Sequence, residues 1–141
     1  MIKHIDIKTL STDIVKEMTN ACEKKAKELN VPVVISFVDA GANLISMFRM
    51  ENAFITSIDI ANNKAYTACA LKQPTNEIAD VVLPGQSLYG LQLTNNQRIV
   101  PFGGGYPIVV DNQVIGAVGV SGGTVEEDMA IASEALEVFS K

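Results

Sequence analysis

The two arginines of the chain, Arg49 and Arg98, are the side chains best suited to hold an acidic ligand. Each is predicted to lie near the end of a regular element, flanking a run of three glycines. A guanidinium group binds a carboxylate through two parallel hydrogen bonds, so a ligand acid held by this pair is one interpretation. Two ordinary surface salt bridges are the alternative.

Gly103, Gly104 and Gly105 form that run, and Tyr106 follows it. Three consecutive residues without Cβ atoms allow the backbone to adopt conformations that other residues avoid, and they let a ligand or a neighbouring chain approach closely. Tyr106 would add a flat aromatic contact. The alternative interpretation is an ordinary flexible loop.

Lys64 lies within Asn62-Asn63-Lys64-Ala65, a polar patch that interrupts an otherwise apolar helix. A lysine at this position could orient a ligand or form a Schiff base with a carbonyl compound. It could also simply face solvent, which is the commonest position for a lysine. The sequence leaves these three roles open.

Other familiar catalytic chemistry has little support in the sequence. The single histidine, His4, precedes the first helix, and we interpret it as a solvated residue. No nucleophile-elbow, zinc-protease, P-loop or dinucleotide-binding motif is present. Asp39 lies in a predicted turn and Asp59 lies opposite the apolar face of a helix, so no acid–base pair of carboxylates stands out. We assign no catalytic residue and no metal site from these patterns.

The stretch Gly122–Thr124 opens the last predicted helix and could bind an anion, because the first amides of a helix have no partners within it. The next residues argue against this interpretation, since three acidic side chains from Glu126 to Asp128 would repel an anion there. We therefore interpret the stretch as structural capping, with Thr124 and Glu127 forming a capping box.

Charge and cysteine content limit the range of partners. Sixteen acidic against eleven basic side chains give a formal charge of −5, and the lysines are scattered, which argues against nucleic acid as a partner. No stretch approaches the about 18 apolar residues of a membrane span, and the amino terminus lacks a signal-peptide core, so we expect a cytoplasmic protein with no membrane partner. Cys22 and Cys69 are far apart in sequence and predict buried, reduced thiols.

The chain is also apolar for its size. It has 141 residues, enough for about one domain, and 48% of them are hydrophobic. No linker, low-complexity tract or internal repeat divides it, so residues 1–141 are predicted to form a single domain. The apolar surplus favours self-association, and we expect a tetramer or a larger homo-oligomer.

Hydrophobic periodicity predicts the elements that must position these groups. Helices are predicted over residues 8–29, 53–71 and 124–139, strands over 31–38, 44–50, 107–110 and 114–120, and a short helix or turn over 75–82 and 87–93. Phe54 falls on the predicted apolar face of the second helix. The nearly continuous apolar run of the first strand implies burial on both faces. This order predicts an α/β sandwich of the α+β kind, an antiparallel sheet with helices on both faces.

Five collinear motifs, spread over almost the whole chain, carry a resemblance to a known family. They are Val38–Gly41, Phe48–Met50, Lys64-Ala65, Gly103–Ile108 and Gly116–Asp128. In this order and spacing they resemble the GlcG/HbpS family, which includes the carboxy-terminal domain of PduO-type proteins. The resemblance implies a profilin-like fold, assembly into homo-oligomers and, in some members, haem binding. Other members are encoded beside glycolate, glycerol or propanediol metabolism.

The sequence departs from this family at the expected iron ligand. In the PduO-like branch we expect an axial histidine in the first helix, around Cys22 to Lys25, and this chain has none there. Iron would then depend on His4, a tyrosine (Tyr66 or Tyr106), Cys22 or a methionine such as Met50, or on a weak surface mode.

Two functional hypotheses from different classes follow. The first is a non-enzymatic small-ligand binding protein with haem as a possible cofactor, in which the glycine loop gives backbone access, Arg49 and Arg98 hold the propionates and Tyr106 contacts the ring. The alternative is an accessory protein or enzyme in propanediol, glycerol or glycolate metabolism, in which Lys64, Asp39 and Ser121 act on a small polar metabolite. A third, purely structural hypothesis makes the chain an assembly module.

Overall fold

The computed structural model describes all 141 residues, as three α-helices and one four-stranded sheet. In chain order these are α1 (Thr12–Leu29), β1 (Val34–Asp39), β2 (Leu44–Arg49), α2 (Thr56–Leu71), β3 (Gly105–Val110), β4 (Gln113–Ser121) and α3 (Val125–Phe139). Three short 3₁₀ helices, at Thr75–Ile78, Leu91–Leu93 and Asn95–Gln97, lie in the long connection between α2 and β3. The predicted α+β architecture is confirmed.

The sheet has the strand order β2-β1-β4-β3, and every neighbouring pair is antiparallel. The two hairpins therefore meet through their inner strands, β1 and β4. The first five residues of β1 are all buried. This agrees with the prediction from its continuous apolar run. A strand that is covered on both faces has no solvent-exposed face, so polar residues do not alternate with apolar ones along it.

Helices cover both faces of the sheet. On one face, α1 and α3 pack together over a core that includes Met18, Phe37 and Ile131. On the other face, α2 lies across β1 and β4, where Ala65 and Ala68 contact Val38 and Ala117 in a smaller cluster. Alanines on α2 let its backbone approach the sheet closely.

Two predicted helix starts are wrong by about one turn. α1 begins at Thr12 rather than residue 8, because the Ser11 hydroxyl accepts the Ile14 amide at 3.3 Å and caps the helix there. α2 begins at Thr56 rather than residue 53, so Phe54 lies outside it and is 67% exposed instead of belonging to its apolar face. The predicted helix over 75–82 is reduced to the 3₁₀ helix at Thr75–Ile78.

Several local predictions are confirmed. Asp111 and Asn112, between β3 and β4, both have positive φ (50° and 62°), as a two-residue hairpin turn requires. The Thr124–Glu127 capping box is present at the start of α3. Cys22 and Cys69 are free and buried.

No helix of the structure combines the length and apolar character needed to cross a bilayer.

Candidate functional site

Lys64 is the most deeply buried charged side chain near a surface cleft. Only 1% of it is exposed, and its Nζ donates hydrogen bonds to Asp128 Oδ2 and to the Val120 carbonyl, both at 2.9 Å. The commonest expectation, a solvent-facing lysine, is therefore wrong. The polar patch of α2 faces inward because this helix lies across β4, whose last residues approach the start of α3.

Asp128 completes the pair from the first turn of α3. It is 3% exposed, and its second carboxylate oxygen, Oδ1, accepts the Gly123 amide at 2.8 Å. The acidic first turn was predicted to serve helix capping, and the Thr124 capping box does so. Asp128 has a further role that the sequence did not indicate, since it neutralises a lysine from another helix.

Burial changes the proton affinity of both members of this pair. Burial lowers the pKa of Lys64, while the nearby Asp128 carboxylate opposes that change. Burial likewise raises the pKa of Asp128, opposed by Lys64 and by the amides of Gly122 and Gly123. Both shifts move the pair towards a neutral amine and a neutral carboxylic acid.

The pair borders a cleft, which we call the Lys64 cleft, between the start of α2, the start of α3 and the loop before β3. Its volume is about 220 Å³, and Ser57, Lys64, Phe102, Ser121 and Asp128 are among its lining residues. The Ser121 hydroxyl donates to the buried Ser57 hydroxyl at 3.0 Å. The Lys64 Nζ lies 5.1 Å from the centre of the Phe102 ring. The cleft thus combines two ionisable groups, two hydroxyls and an aromatic wall.

The glycine run forms the inner wall behind Lys64. Gly103, Gly104 and Gly105 are buried, which contradicts the flexible-loop interpretation. A Cβ atom on Gly104 would lie 2.7 Å from Lys64 Nζ, and one on Gly105 would lie 2.5 Å from the Lys64 carbonyl. The close approach that these glycines permit is therefore to α2 of the same chain, and it is what gives Lys64 its tight surroundings.

Arg98 is held against the side of α2. Its Nε donates to Asn63 Oδ1 at 3.0 Å, and its guanidinium carbon lies 3.8 Å from the centre of the Tyr66 ring. Tyr66 in turn donates its hydroxyl to Asn95 Oδ1 at 3.1 Å. Arg98 is thus part of a surface cluster on α2 and not a member of the Lys64 cleft.

Arg49 lies far from the glycine run. It ends the edge strand β2, while Gly105 begins the opposite edge strand β3, with β1 and β4 between them. Three strand spacings amount to about 14 Å across the sheet. Within one chain, Arg49 is therefore not beside the glycine loop, whereas Arg98 lies against Asn63 and Tyr66 of α2.

Tyr106, Asp39 and His4 also lie apart from the Lys64 cleft. Tyr106 packs against the core between α1 and α3, and burial raises the pKa of its hydroxyl. Asp39 Oδ1 accepts the amides of Gly41 and Asn43 within its own turn, as predicted. His4 is exposed in the amino-terminal segment. No group of three or more His, Cys, Asp or Glu side chains is arranged to hold a metal ion.

A second surface cleft, the α1–β2 groove, was missed by the sequence analysis. It lies between the first half of α1 and the edge strand β2, has a volume of about 320 Å³, and is lined by residues that include Val15, Lys16, Ile45, Met47 and Phe48. Periodicity predicts α1 and β2 separately but not the gap between them. The one available signal is Phe48, a large apolar side chain near the end of a hairpin strand, which is 37% exposed.

A family model described as haem degrading protein HbpS-like matches residues 10–137. The chain belongs to the HbpS-like family. This membership confirms the resemblance carried by the five sequence motifs.

Three relatives illustrate the range of HbpS-like proteins. A 15.0 kDa protein of Citrobacter freundii, from the dhaT-dhaS intergenic region, is 59% identical over 100% of this chain and 99% of its own length. The corrinoid adenosyltransferase PduO of Salmonella typhimurium is 44% identical over 93% of this chain, but the match spans only 39% of PduO. A crystal structure of a PduOC:heme complex is 43% identical, with a TM-score of 0.90, and the match covers 92% of this chain and 94% of that one.

Proposed function

We propose that this HbpS-like protein is a non-enzymatic tetrapyrrole-binding protein, with haem as its ligand, that works as a homo-oligomer. The observation that carries the proposal is its similarity to the protein of the PduOC:heme complex, at 43% identity and a TM-score of 0.90. At that similarity the two backbones share a fold, so the surface that binds haem in that complex has a counterpart in the backbone of this chain.

The α1–β2 groove is the surface that suits a tetrapyrrole. Its volume of about 320 Å³ lies at the lower end of the about 300–1,000 Å³ of small-molecule sites, so it would hold part of the ring rather than enclose it. Val15, Ile45 and Phe48 would contact the ring. Lys16 would meet a propionate, because its present partner, Asp13, is 3.8 Å away and both side chains are exposed, which makes that ion pair weak.

The iron donors of this chain are few, and they suit a loosely held haem. The groove is lined by Met47, whose thioether is a known type of haem ligand. Cys22 is excluded, because burial raises the pKa of its thiol to about 12 and the ligating form is the thiolate. Tyr106 is disfavoured as an iron ligand for the same reason, because burial raises the pKa of its phenol and so opposes formation of the phenolate. Bound haem would supply the iron chemistry, while these side chains supply contact area and charge.

A titration of the purified protein with haemin, followed by Soret absorbance, tests this function. We expect a saturable change at one haem per chain, with an apolar dye as a control for non-specific adsorption. Phe48→Ala and Lys16→Glu should each weaken binding about tenfold, the equivalent of about 1.4 kcal/mol. Lys24→Glu, on α1 but not in the groove, is the matched control. A response that does not saturate, or that ignores both groove variants, would contradict the proposal.

A second candidate function is favoured by the Lys64 cleft. At about 220 Å³ it is smaller than the α1–β2 groove, and it holds a buried lysine–aspartate pair and two serines. This combination supports an accessory or catalytic role with a small polar metabolite, of the kind used in propanediol, glycerol or glycolate metabolism. Lys64 and Ser121 would take part, whereas Asp39 would not. A thermal-shift screen of small diols, hydroxy acids and hydroxyaldehydes tests it, and no shift with any of them would count against it.

A further inference from the structure

We propose that Lys64 binds small aldehydes and ketones covalently, as an imine, with Asp128 as its proton-transfer partner in the Lys64 cleft. The inference rests on the second candidate function, since both use this cleft. It is independent of haem binding, for which the α1–β2 groove is proposed.

The position of Lys64 separates it from the other lysines. Its side chain is 1% exposed yet borders a cleft that opens to solvent, whereas the side chains of Lys8, Lys16 and Lys27 are 56%, 76% and 66% exposed. Solvated lysines are almost wholly protonated at neutral pH and react slowly. A lysine that is desolvated but still reachable by a small molecule is the arrangement used by Schiff-base lysines.

The contacts between Lys64 and Asp128 support nucleophilic attack by the lysine nitrogen. Lys64 Nζ and Asp128 Oδ2 lie 2.9 Å apart, so a proton can pass directly between them. Burial, which lowers the pKa of Lys64 and raises the pKa of Asp128, opposes the doubly charged form of the pair. The Gly123 amide fixes the other carboxylate oxygen at 2.8 Å. Asp128 therefore presents Oδ2, the oxygen that gives and takes the proton, to the amine.

The reaction balances with groups already in the cleft. A proton first passes from the Lys64 ammonium to the Asp128 carboxylate. The neutral Lys64 nitrogen then attacks the carbonyl carbon, and the carbonyl oxygen takes that proton from the Asp128 carboxylic acid. The nitrogen then returns a proton to Asp128, which gives a neutral carbinolamine. Asp128 next protonates the departing hydroxyl, the carbon–oxygen bond breaks, and one water leaves. The product is an iminium ion opposite the Asp128 carboxylate, and no oxidant, reductant or metal is needed.

The dimensions and lining of the cleft define the class of carbonyl compound. A cleft of about 220 Å³ lies below the about 300–1,000 Å³ of sites for drug-sized ligands, which suits a short-chain compound of few carbons. The Ser57 and Ser121 hydroxyls lie 3.0 Å apart and share one hydrogen bond, so one of the two has a proton left to donate to a ligand hydroxyl. Phe54 and Phe102, which are 67% and 40% exposed, give the cleft an apolar rim. A short hydroxyaldehyde meets all three conditions.

Reductive trapping tests the inference. The native protein is incubated with glycolaldehyde and sodium cyanoborohydride at neutral pH, and the modified lysines are mapped by peptide mass spectrometry. We expect Lys64 to be labelled at least tenfold faster than Lys16 or Lys72. Labelling confined to surface lysines, with Lys64 unmodified in the folded chain, would overturn the proposal and leave a purely structural ion pair.

Two variants separate reactivity from folding. Asp128→Asn should slow the labelling of Lys64 about tenfold and change its pH dependence, and unchanged labelling would contradict the role of Asp128. Ser57→Ala removes only a hydroxyl, is the milder change if Asp128→Asn does not fold, and should lower labelling severalfold. Labelling at the wild-type rate would remove the ligand role of Ser57. A haemin titration of the same protein is scored separately, so the failure of either proposal is distinguishable.

Discussion

At the scale of single residues, the Lys64–Asp128 pair is the one salt bridge in which both side chains are buried. Removing two charges from water is expensive, and their attraction offsets this only when the remaining hydrogen bonds are also made. Here they are made, because the Val120 carbonyl accepts from Lys64 and the Gly123 amide donates to Asp128. Such a pair adds little net stability, although the loss of one partner leaves the other charge buried and unpaired.

Substitution of one or both partners tests this balance. We expect Lys64→Met alone to lower the free energy of unfolding by about 3 kcal/mol, since it leaves Asp128 buried without a cation. The double variant Lys64→Met/Asp128→Leu should recover most of that loss and could exceed the wild type. Urea unfolding at neutral pH measures both values. A single variant that costs less than about 1 kcal/mol would show that the pair is better solvated than the structure indicates.

The pH dependence of stability follows from the two pKa shifts. Asp128 has a raised pKa when folded, so the stability it contributes is lost as pH rises from its ordinary pKa of 3.8 through the folded value. Lys64 has a lowered pKa when folded, so stability is regained as pH rises through that value towards 10.5. The unfolding free energy of the wild type, measured relative to that of the Lys64→Met/Asp128→Leu variant, should therefore be lowest between the folded-state pKa of Asp128 and that of Lys64. A flat difference across this range would contradict the assigned shifts.

Sequence reasoning could find half of this pair. Lys64 stands out in the sequence because it lies in a polar patch within an otherwise apolar helix. Asp128 carried no such signal, because an acid in the first turn of a helix is already explained by the helix dipole. The two residues are 64 positions apart, and their contact depends on how α2 and α3 pack on β4. Periodicity predicts elements but not that approach.

At the scale of elements, the contact between α2 and β4 organises the site. Gly119 of β4 lies directly beneath α2, and a Cβ atom there would contact the Ala61 carbonyl and lie 2.5 Å from the Ala65 amide nitrogen. Both are backbone atoms of a helix, so neither can move aside alone. The position of α2, and therefore of Lys64, depends on the absence of this one carbon.

Gly119→Ala tests that dependence. We expect a loss of about 3 kcal/mol or more in unfolding free energy, because overpacking against helix backbone shifts the whole helix. Gly85→Ala is the matched control, since its Cβ would meet nothing within 4 Å and its cost, about 1–2 kcal/mol, comes only from a φ of +83°. Thermal and urea unfolding of both variants measure the two losses in unfolding free energy. Equal costs at the two positions would refute the close-packing argument.

The elements themselves were largely predictable, and the clefts between them were not. The burial of β1, the Asp111-Asn112 turn and the Thr124 cap follow from local patterns, since each depends on residues within a few positions. The separation of Arg49 from the glycine run depends on the strand order β2-β1-β4-β3. No local pattern specifies which hairpin strands meet at the centre of a sheet.

At the scale of the whole molecule, exposed apolar side chains are the main unexplained feature. Ile55, Tyr89 and Leu93 are 79%, 67% and 71% exposed, and other large apolar side chains accompany them on the surface. Covering such side chains against a partner removes apolar surface from water and so favours association. This supports the proposed homo-oligomer.

Light scattering on the purified protein tests the assembly. We expect a mass at least four times the 15.1 kDa of one chain at micromolar concentration. Leu93→Asp and Ile55→Asp, which introduce a charge into an exposed apolar surface, should shift the mass downwards if those residues are covered. A monomeric mass for the wild type would contradict the proposal directly.

The most direct test of haem binding is methyl NMR of the protein with haemin. Ferric iron broadens nearby methyl signals, and gallium protoporphyrin serves as a diamagnetic control. We expect saturable broadening of Val15 and Ile45, which line the α1–β2 groove, while Ile60 and Val125, which line the Lys64 cleft, are less affected. Broadening centred on Ile60 and Val125 would place haem at the wrong cleft. No selective broadening at a haemin excess would contradict haem binding itself.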